Sequence, residues 1–225
     1  MVQPRKPTTL PTYTEEILTE LAERPEAAEI VLGGHLALKH YLDYRQTHDI
    51  DAWWRRARSP QAEGQIRTVM TGLADRHGLQ LAMRAFGEVS SFELVSEGRK
   101  VFSFQIAPRS LYLNDPVLSP WPPLLLESLE DNIASKMNAL VNRGAPRDFL
   151  DIQRAVEAGL MNVERCWMLW RQRNPDEQVR TGQEKVLFHL VALETRRPLT
   201  QIQDQQEREQ AAQTRAWFHE RFLMR

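Results

Sequence analysis

The chain has 225 residues, of which 42% are hydrophobic and 26% are charged, a balance typical of soluble globular proteins. Its formal net charge of −1 excludes a general polyanion-binding character, so any nucleic-acid contact must come from a local patch. The single cysteine, Cys166, excludes an internal disulfide and lies in an apolar helical pattern typical of a packing thiol. With no secretory-signal pattern and no apolar run long enough for a membrane span, we expect a cytoplasmic protein.

The first half of the chain alternates helical and strand patterns. A helix with Thr14 as its N-cap is followed by the apolar strand EIVLGG and the amphipathic segment HLALKHYLDYR, which predicts a second helix. HDIDAWW predicts a strand beside the first, because its residues alternate between the two faces. The remaining elements predicted here are a helix over 60–77 and the strands LQLAMRAFG, SSFELVSEG and KVFSFQIAP.

After Pro120 the patterns become helical throughout. Five helices are predicted, and the proline-rich segment LNDPVLSPWPP joins them to the first half. We therefore predict an α+β domain over residues 1–115 and an all-helical domain over residues 120–225.

Two aspartates follow the first strand and its Gly-Gly turn. Because strand side chains alternate, Asp49 and Asp51 lie on one face and Ile50 on the other, which brings two carboxylates close enough to share Mg²⁺. Backbone N–H groups at Gly33 and Gly34 could approach a phosphate, since no side chain intervenes. The same pattern also fits an ordinary tight turn followed by a solvated strand end.

The segment VLGGHLALKHYLDYRQTHDIDAWW resembles the signature of the DNA polymerase β-type nucleotidyltransferases, and more narrowly that of the AbiEii-type toxin branch. That signature is a strand, Gly-Gly, a small residue with Ala-Leu, then Arg-x-Ser/Thr-x-Asp-hydrophobic-Asp. The matching positions are Gly33, Gly34, Leu36, Ala37, Leu38, Arg45, Thr47, Asp49, Ile50 and Asp51.

A second segment, LEDNIASKMNALVNRGAPRDFLDI, is similar to the helical motif of the same family. That motif is an Asp, then Ala-x-Lys and Ala-Leu, then Arg and Arg-Asp-aromatic-x-Asp. The matching positions are Asp131, Ala134, Lys136, Ala139, Leu140, Arg143, Arg147, Asp148, Phe149 and Asp151.

The resemblance implies an α+β fold in which a nucleotidyltransferase-type mixed sheet with flanking helices is followed by a helical domain. It implies an Mg²⁺-dependent transfer of a nucleotide from an NTP to an acceptor hydroxyl, on an RNA end such as tRNA or on a protein, and a cognate antitoxin as partner. Asp148 or Asp151 would orient Lys136 or act near the acceptor. The implied catalytic residues are Asp49, Asp51, Lys136 and Asp151, with Asp49 and Asp51 as metal ligands, and the implied nucleotide-binding residues are Gly33, Gly34, His35, Lys136, Arg147 and Asp148.

Two positions depart from the family pattern. His35 stands where Ser or Thr is usual, and its imidazole can hydrogen-bond to phosphate or pair with it. The uncharged Gln105 stands where the wider superfamily carries a third carboxylate, with Glu93 on another strand as the fallback. These departures favour an alternative function, a degenerate member of the fold that binds a nucleotide or a partner without catalysis.

Overall fold

The computed structural model describes residues 2–223, which form seven β-strands and eight α-helices. The chain divides into two compact units, the first ending at Asn132 and the second beginning at Ile133. Within the described range, no helix combines the length and the apolar character needed to cross a membrane.

The first unit is a mixed sheet with helices. Its helices are α1 (Thr14–Ala22), α2 (Gly34–Lys39) and α3 (Pro60–His77), and its strands are β1 (Ile30–Leu32), β2 (Asp49–Trp54), β3 (Gln80–Phe86), β4 (Val89–Ser96), β5 (Arg99–Ala107), β6 (Val117–Leu118) and β7 (Leu125–Leu126). The strand order is β3-β4-β5-β2-β1-β7-β6. Two of the neighbouring pairs are parallel, β2 with β5 and β1 with β7, and the others are antiparallel.

The two faces of the sheet have different roles. On one face the apolar residues of β2, β4 and β5 pack against α1 and α3, and Ile50, Trp54 and Phe104 are 0% exposed there. Because side chains alternate along a strand, Asp49, Asp51 and Trp53 lie on the opposite face. The hydrophobic core therefore fixes the register of β2 and turns its carboxylates away from the core.

Local sequence explains where several elements begin and end. Helix α3 starts where the Ser59 hydroxyl accepts a hydrogen bond from the Ala62 N–H, and it stops at Gly78, whose φ is 65°. The β4–β5 hairpin turns through Glu97 and Gly98, both with positive φ, as a two-residue turn matched to the strand twist requires.

Three details differ from the sequence predictions. The N-cap of α1 is Tyr13 rather than Thr14, which is buried inside the helix. Helix α2 ends at Lys39, short of the end of the predicted segment, and only turn-like hydrogen bonds from the Tyr41 and Leu42 N–H groups to the Leu38 carbonyl oxygen follow it. The short strands β6 and β7 were not predicted, and both lie beyond residue 115 but still belong to the sheet.

Helices make up the second unit, as predicted. Helix α4 (Leu129–Asn142) begins in the first unit and continues into the second, and α5 (Pro146–Glu157), α6 (Val163–Arg173), α7 (Val179–Arg196) and α8 (Gln205–Trp217) follow. Asn162 caps α6 and Asp204 caps α8, each by accepting from a backbone N–H three residues later. Cys166 is fully buried here, as its pattern predicted.

Candidate active site

The two strand aspartates lie next to each other in space on the polar face of the sheet. Asp49 and Asp51 are half-buried, in contrast with the fully buried Ile50 between them. The Thr47 hydroxyl donates a hydrogen bond to one carboxylate oxygen of Asp49. β2 thus presents two acidic groups in a fixed orientation, with a family-motif threonine orienting one of them.

The Gly-Gly turn packs directly against these aspartates. The Gly33 N–H donates to the Asp51 carbonyl oxygen at 2.8 Å, and Gly34 has φ 59°, a conformation that favours glycine. A Cβ atom at Gly34 would lie 2.2 Å from Asp51 Oδ2, and one at Gly33 would lie 2.2 Å from Trp53 Nε1. A side chain at either position would therefore force the side chains of β2 to shift, and at Gly34 the positive φ would add backbone strain.

The carboxylates of Asp49 and Asp51 are suited to form part of the ligand set of an Mg²⁺ ion. Mg²⁺ prefers oxygen ligands and commonly binds one or two carboxylates, with water and substrate phosphates completing its shell. Asp49 and Asp51 supply that number of carboxylates from one face. Across residues 2–223, no three His, Cys, Asp or Glu side chains form a cluster that could hold a metal ion by protein ligands alone.

The neighbouring strand places an amide where a third carboxylate was sought. Gln105 pairs directly with Asp51 across β2 and β5, and Ser103 pairs with Asp49. Glu93 pairs with Ser103 one strand further out, so it lies two strands from Asp49, or about 10 Å at the usual strand spacing. Its carboxylate contacts Arg84 at 3.2 Å. Glu93 therefore does not take the place of the missing acid.

His35 lies in the first turn of α2, with its side chain only 4% exposed. Its Nε2 atom is 3.3 Å from the carbonyl oxygen of Arg45, and its ring meets Tyr44 edge-on at 5.3 Å. The imidazole thus contacts the loop that leads to Thr47. Any nucleotide contact at this position would come more readily from the backbone N–H of His35 than from its ring.

The predicted residues of the second unit form two ion pairs. Lys136 Nζ lies 2.6 Å from Asp151 Oδ2, with side chains 11% and 0% exposed. Asp148 accepts two hydrogen bonds from Arg143, at 2.7 and 2.8 Å, and one from the Ala145 N–H, which also caps α5. Of the two aspartates considered for orienting Lys136, Asp151 is the one in contact with it.

Arg147, the fourth predicted site residue of this motif, is exposed at the start of α5 and lines a cavity of the second unit. It does not pair with the adjacent Asp148, whose carboxylate is bound by Arg143.

The buried polar side chains of Asn132 and Glu127, which the sequence analysis did not identify, support the Gly-Gly turn. Asn132 donates from Nδ2 to the Gly34 carbonyl oxygen at 2.8 Å and to Glu127 Oε2 at 3.0 Å. Glu127 is 0% exposed, forms an ion pair with Arg109, and donates its N–H to the Leu32 carbonyl oxygen at 2.9 Å. The Arg109 guanidinium stacks over Trp53 at 5.1 Å. No local pattern signals this group, since Asn132 is 98 residues from Gly34.

Comparison with known proteins supports the sequence resemblance over nearly the whole chain. The model of the family described as nucleotidyl transferase AbiEii toxin, type IV TA system, matches residues 16–221. A comparison with curated proteins finds no match. The matched region contains both motifs and the mixed α+β sheet that presents the paired aspartates, and on this ground the chain belongs to the AbiEii nucleotidyl transferase toxin family.

Proposed function

We propose that this protein is an active, Mg²⁺-dependent nucleotidyltransferase that transfers a nucleotide from an NTP to an acceptor hydroxyl, on an RNA end such as tRNA or on a protein. The observation that carries the proposal is the contact between Gly34 and Asp51, which fixes a candidate phosphate-binding turn against a candidate metal ligand. Family membership supports nucleotidyl transfer in general terms.

In this proposal Asp49 and Asp51 hold the metal ion, which when bound would neutralise phosphate charge. The first-turn N–H groups of a helix have no intrahelical acceptor, so those of α2 are suited to phosphate oxygens. The Gly33 N–H is already bonded to the Asp51 carbonyl oxygen, and the phosphate contact therefore falls to the amides of Gly34 and His35.

Lys136 and Asp151 are proposed as the positioned cation and its orienting carboxylate. The Lys136 ammonium carries three N–H donors, and among residues 2–223 its one carboxylate contact is with Asp151, so donors remain for a phosphate oxygen. Arg147, exposed and close in sequence, is proposed as a further nucleotide contact, whereas the Asp148 carboxylate orients Arg143.

The alternative is a nucleotide or partner binder without transfer activity. Gln105 beside Asp51 favours it, because an amide cannot replace a carboxylate in activating an acceptor hydroxyl near a metal ion. Both functions predict NTP binding, and only the enzyme releases pyrophosphate.

The deciding experiment incubates the protein with Mg²⁺, each α-labelled NTP in turn, and total RNA. We expect label in RNA or protein, with nuclease and protease digestion identifying the acceptor class. The double variant Asp49→Asn/Asp51→Asn should lose at least about 10²-fold in rate, the loss typical of removing one preorganised electrostatic contact. Asp75→Asn, an exposed aspartate on α3, is the matched control and should retain full rate.

Two outcomes would count against transfer. Equal labelling by the double variant would exclude the strand aspartates as the catalytic pair. Absence of label together with NTP-dependent thermal stabilisation, which follows RT ln(1 + [L]/Kd), would establish the alternative instead.

A further inference from the structure

A cavity in the second unit lies apart from the residues assigned above, except Arg147. It has a volume of about 270 Å³ and lies between the start of α5, the C-terminal end of α7 and α8. Its apolar wall includes Phe149, Leu190 and Ile202, which are 1%, 0% and 4% exposed. An apolar group placed here would lose its contact with water against side chains that are already packed.

The polar groups at the base of this cavity already bond to one another. The Thr214 hydroxyl, which is part of the lining, donates to Gln153 Oε1 at 2.6 Å. Gln153 in turn donates from Nε2 to Glu157 at 2.9 Å. The interior therefore favours an apolar body over a sugar or another strongly polar group.

The rim of the cavity is positively charged. Three arginines and one glutamate line it, and Arg197 pairs with that glutamate, Glu207, at 2.6 Å. Arg215 donates to the carbonyl oxygen of Arg197 at 2.7 Å, but no carboxylate oxygen in the described part of the chain lies within ion-pair distance of Arg215 or of Arg147. Within that part of the chain, these two positive charges therefore have no carboxylate in direct contact.

The environment of Arg215 makes it a suitable anion contact. Burial lowers the pKa of its guanidinium, the charge of Glu194 acts in the opposite direction, and Arg197 lowers it further, yet a guanidinium remains protonated at neutral pH. Glu194 is itself 3.2 Å from His219 Nε2. A ligand anion would give Arg215 a charge-assisted hydrogen bond that no carboxylate among residues 2–223 makes with it.

We propose that this cavity binds a small amphipathic anion, with its apolar body against Phe149, Leu190 and Ile202 and a single carboxylate or phosphate head on Arg215 and Arg147. Pockets for drug-sized ligands span about 300–1,000 Å³, so the occupant is smaller than these. Arg147 is shared with the proposed nucleotide contacts, but the test of this proposal depends on Arg215 and needs no transfer assay.

The test is an NMR titration of the full chain with probes that separate charge from apolar body. Octanoate carries both, 1-octanol carries only the body, and acetate carries only the charge. We expect saturable shifts of the Gln210 and Ala211 amides with octanoate, at least tenfold weaker binding of 1-octanol, and no binding of acetate. A parallel arm with octyl phosphate distinguishes a phosphate head from a carboxylate head.

Variants test the two halves of the site. Arg215→Gln should weaken octanoate binding by about tenfold and leave 1-octanol binding unchanged, because a hydrogen bond to a charged group is lost. Arg215→Lys should retain most of the affinity. Ala211→Phe should fill the cavity and abolish binding of both probes. Arg180→Gln, which removes an 87% exposed arginine paired with Glu184 on the same unit, is the control and should have no effect.

The proposal is overturned if 1-octanol binds as tightly as octanoate, since the anion would then contribute nothing. It is also overturned if millimolar octanoate and octyl phosphate give no saturable shift, or if a folded Arg215→Gln variant binds octanoate as tightly as the wild type.

Discussion

The strand aspartates of the first unit and the helix aspartates of the second differ in burial and in what surrounds them. Asp49 and Asp51 are half-buried at the polar face of a sheet, whereas Asp148 and Asp151 are 0% exposed. Each of the helix aspartates contacts a cation, Arg143 at 2.7 Å and Lys136 at 2.6 Å. The difference supports our proposal that the strand pair binds the metal ion and that the helix pair positions cations.

The largest expected effect is a difference in stability between a variant of the helix aspartates and a variant of the strand aspartates. Asp151→Asn leaves the nearly buried ammonium of Lys136 without its carboxylate, and breaking a buried pair in this way destabilises by about 3–5 kcal/mol. Asp49→Asn should change the free energy of unfolding by less than about 1 kcal/mol, because its side chain is half-buried and an amide oxygen can still accept from Thr47. Urea unfolding of both variants measures the difference.

The double variant Lys136→Met/Asp151→Leu is the control for that prediction. Replacing both charges by apolar groups should recover much of the stability that Asp151→Asn loses. Equal losses for Asp49→Asn and Asp151→Asn would remove the proposed distinction between the two pairs.

Acidic pH should lower the free energy of unfolding of the first unit, because that unit contains a buried histidine. His40 is 2% exposed, with Nδ1 at 2.9 Å from the Arg5 carbonyl oxygen, and burial lowers its pKa from 6.5 to about 4, an effect that this hydrogen bond only partly offsets. Above pH 6.5 the histidine is neutral in both states. As the pH falls from 6.5 to 4 the unfolded state takes up the proton first, so stability is lost, by about 3 kcal/mol in total.

Urea midpoints at pH 7 and pH 4.5 measure this loss, with His40→Gln as the comparison. The variant should show a smaller decrease between the two pH values, since its amide does not titrate. Identical decreases in the wild type and the variant would show that His40 does not titrate in the way its burial implies.

Because the turn lies close to the strand aspartates, alanine substitutions at two glycines should change stability in opposite directions, by smaller amounts. Gly34→Ala should destabilise by about 2 kcal/mol, because its φ of 59° and the Asp51 carboxylate both exclude a Cβ atom. Gly64→Ala, within α3 and with no atom within 4 Å of an added Cβ, should stabilise by about 0.5–1 kcal/mol. Thermal unfolding of both variants measures the two signs, and the same sign for both would contradict the geometry.

The smallest effect is expected for the group behind the turn. Asn132→Leu removes the donor to the Gly34 carbonyl oxygen and to Glu127, at a loss of about 1–2 kcal/mol. If the turn binds phosphate, the same change should weaken NTP-dependent stabilisation. Asn138→Leu, on the same helix but bonded to Asn174, is the matched control and should leave nucleotide stabilisation unchanged. If Asn132→Leu and Asn138→Leu showed the same NTP-dependent stabilisation, Asn132 would not contribute to nucleotide binding by the turn.

Much of the fold could be predicted because its signals are local. The alternation of Asp49, Ile50 and Asp51 defined the faces of β2, and the helix predicted over 60–77 has the same bounds as α3. The strands β6 and β7 escaped prediction because two residues are too few to show a period and prolines surround them. Helix α2 was predicted too long, because apolar spacing alone does not show where its hydrogen bonds end.

The candidate site was predictable where motif and geometry coincide and hidden where contacts are distant in sequence. Gly33, Gly34, Asp49 and Asp51 lie together in the first unit, and Lys136 meets Asp151 in the second. Glu127 and Asn132 belong to the surroundings of the turn only through tertiary contacts with β1 and α2. The buried position of the His35 ring likewise depends on Tyr44 and Arg45, in a loop whose path no periodicity describes.

The burial of Cys166 makes this chain a convenient background for site-specific labelling. Burial raises the pKa of its thiol to about 12, so thiol reagents should leave it unmodified in the native protein at neutral pH. A cysteine introduced at Met83, which is 53% exposed in the first unit, or at Phe188, which is 66% exposed in the second, would therefore be the reactive thiol. A pair of spin labels at these two positions would report, without any cysteine-free redesign, the distance between the two units before and after nucleotide is added.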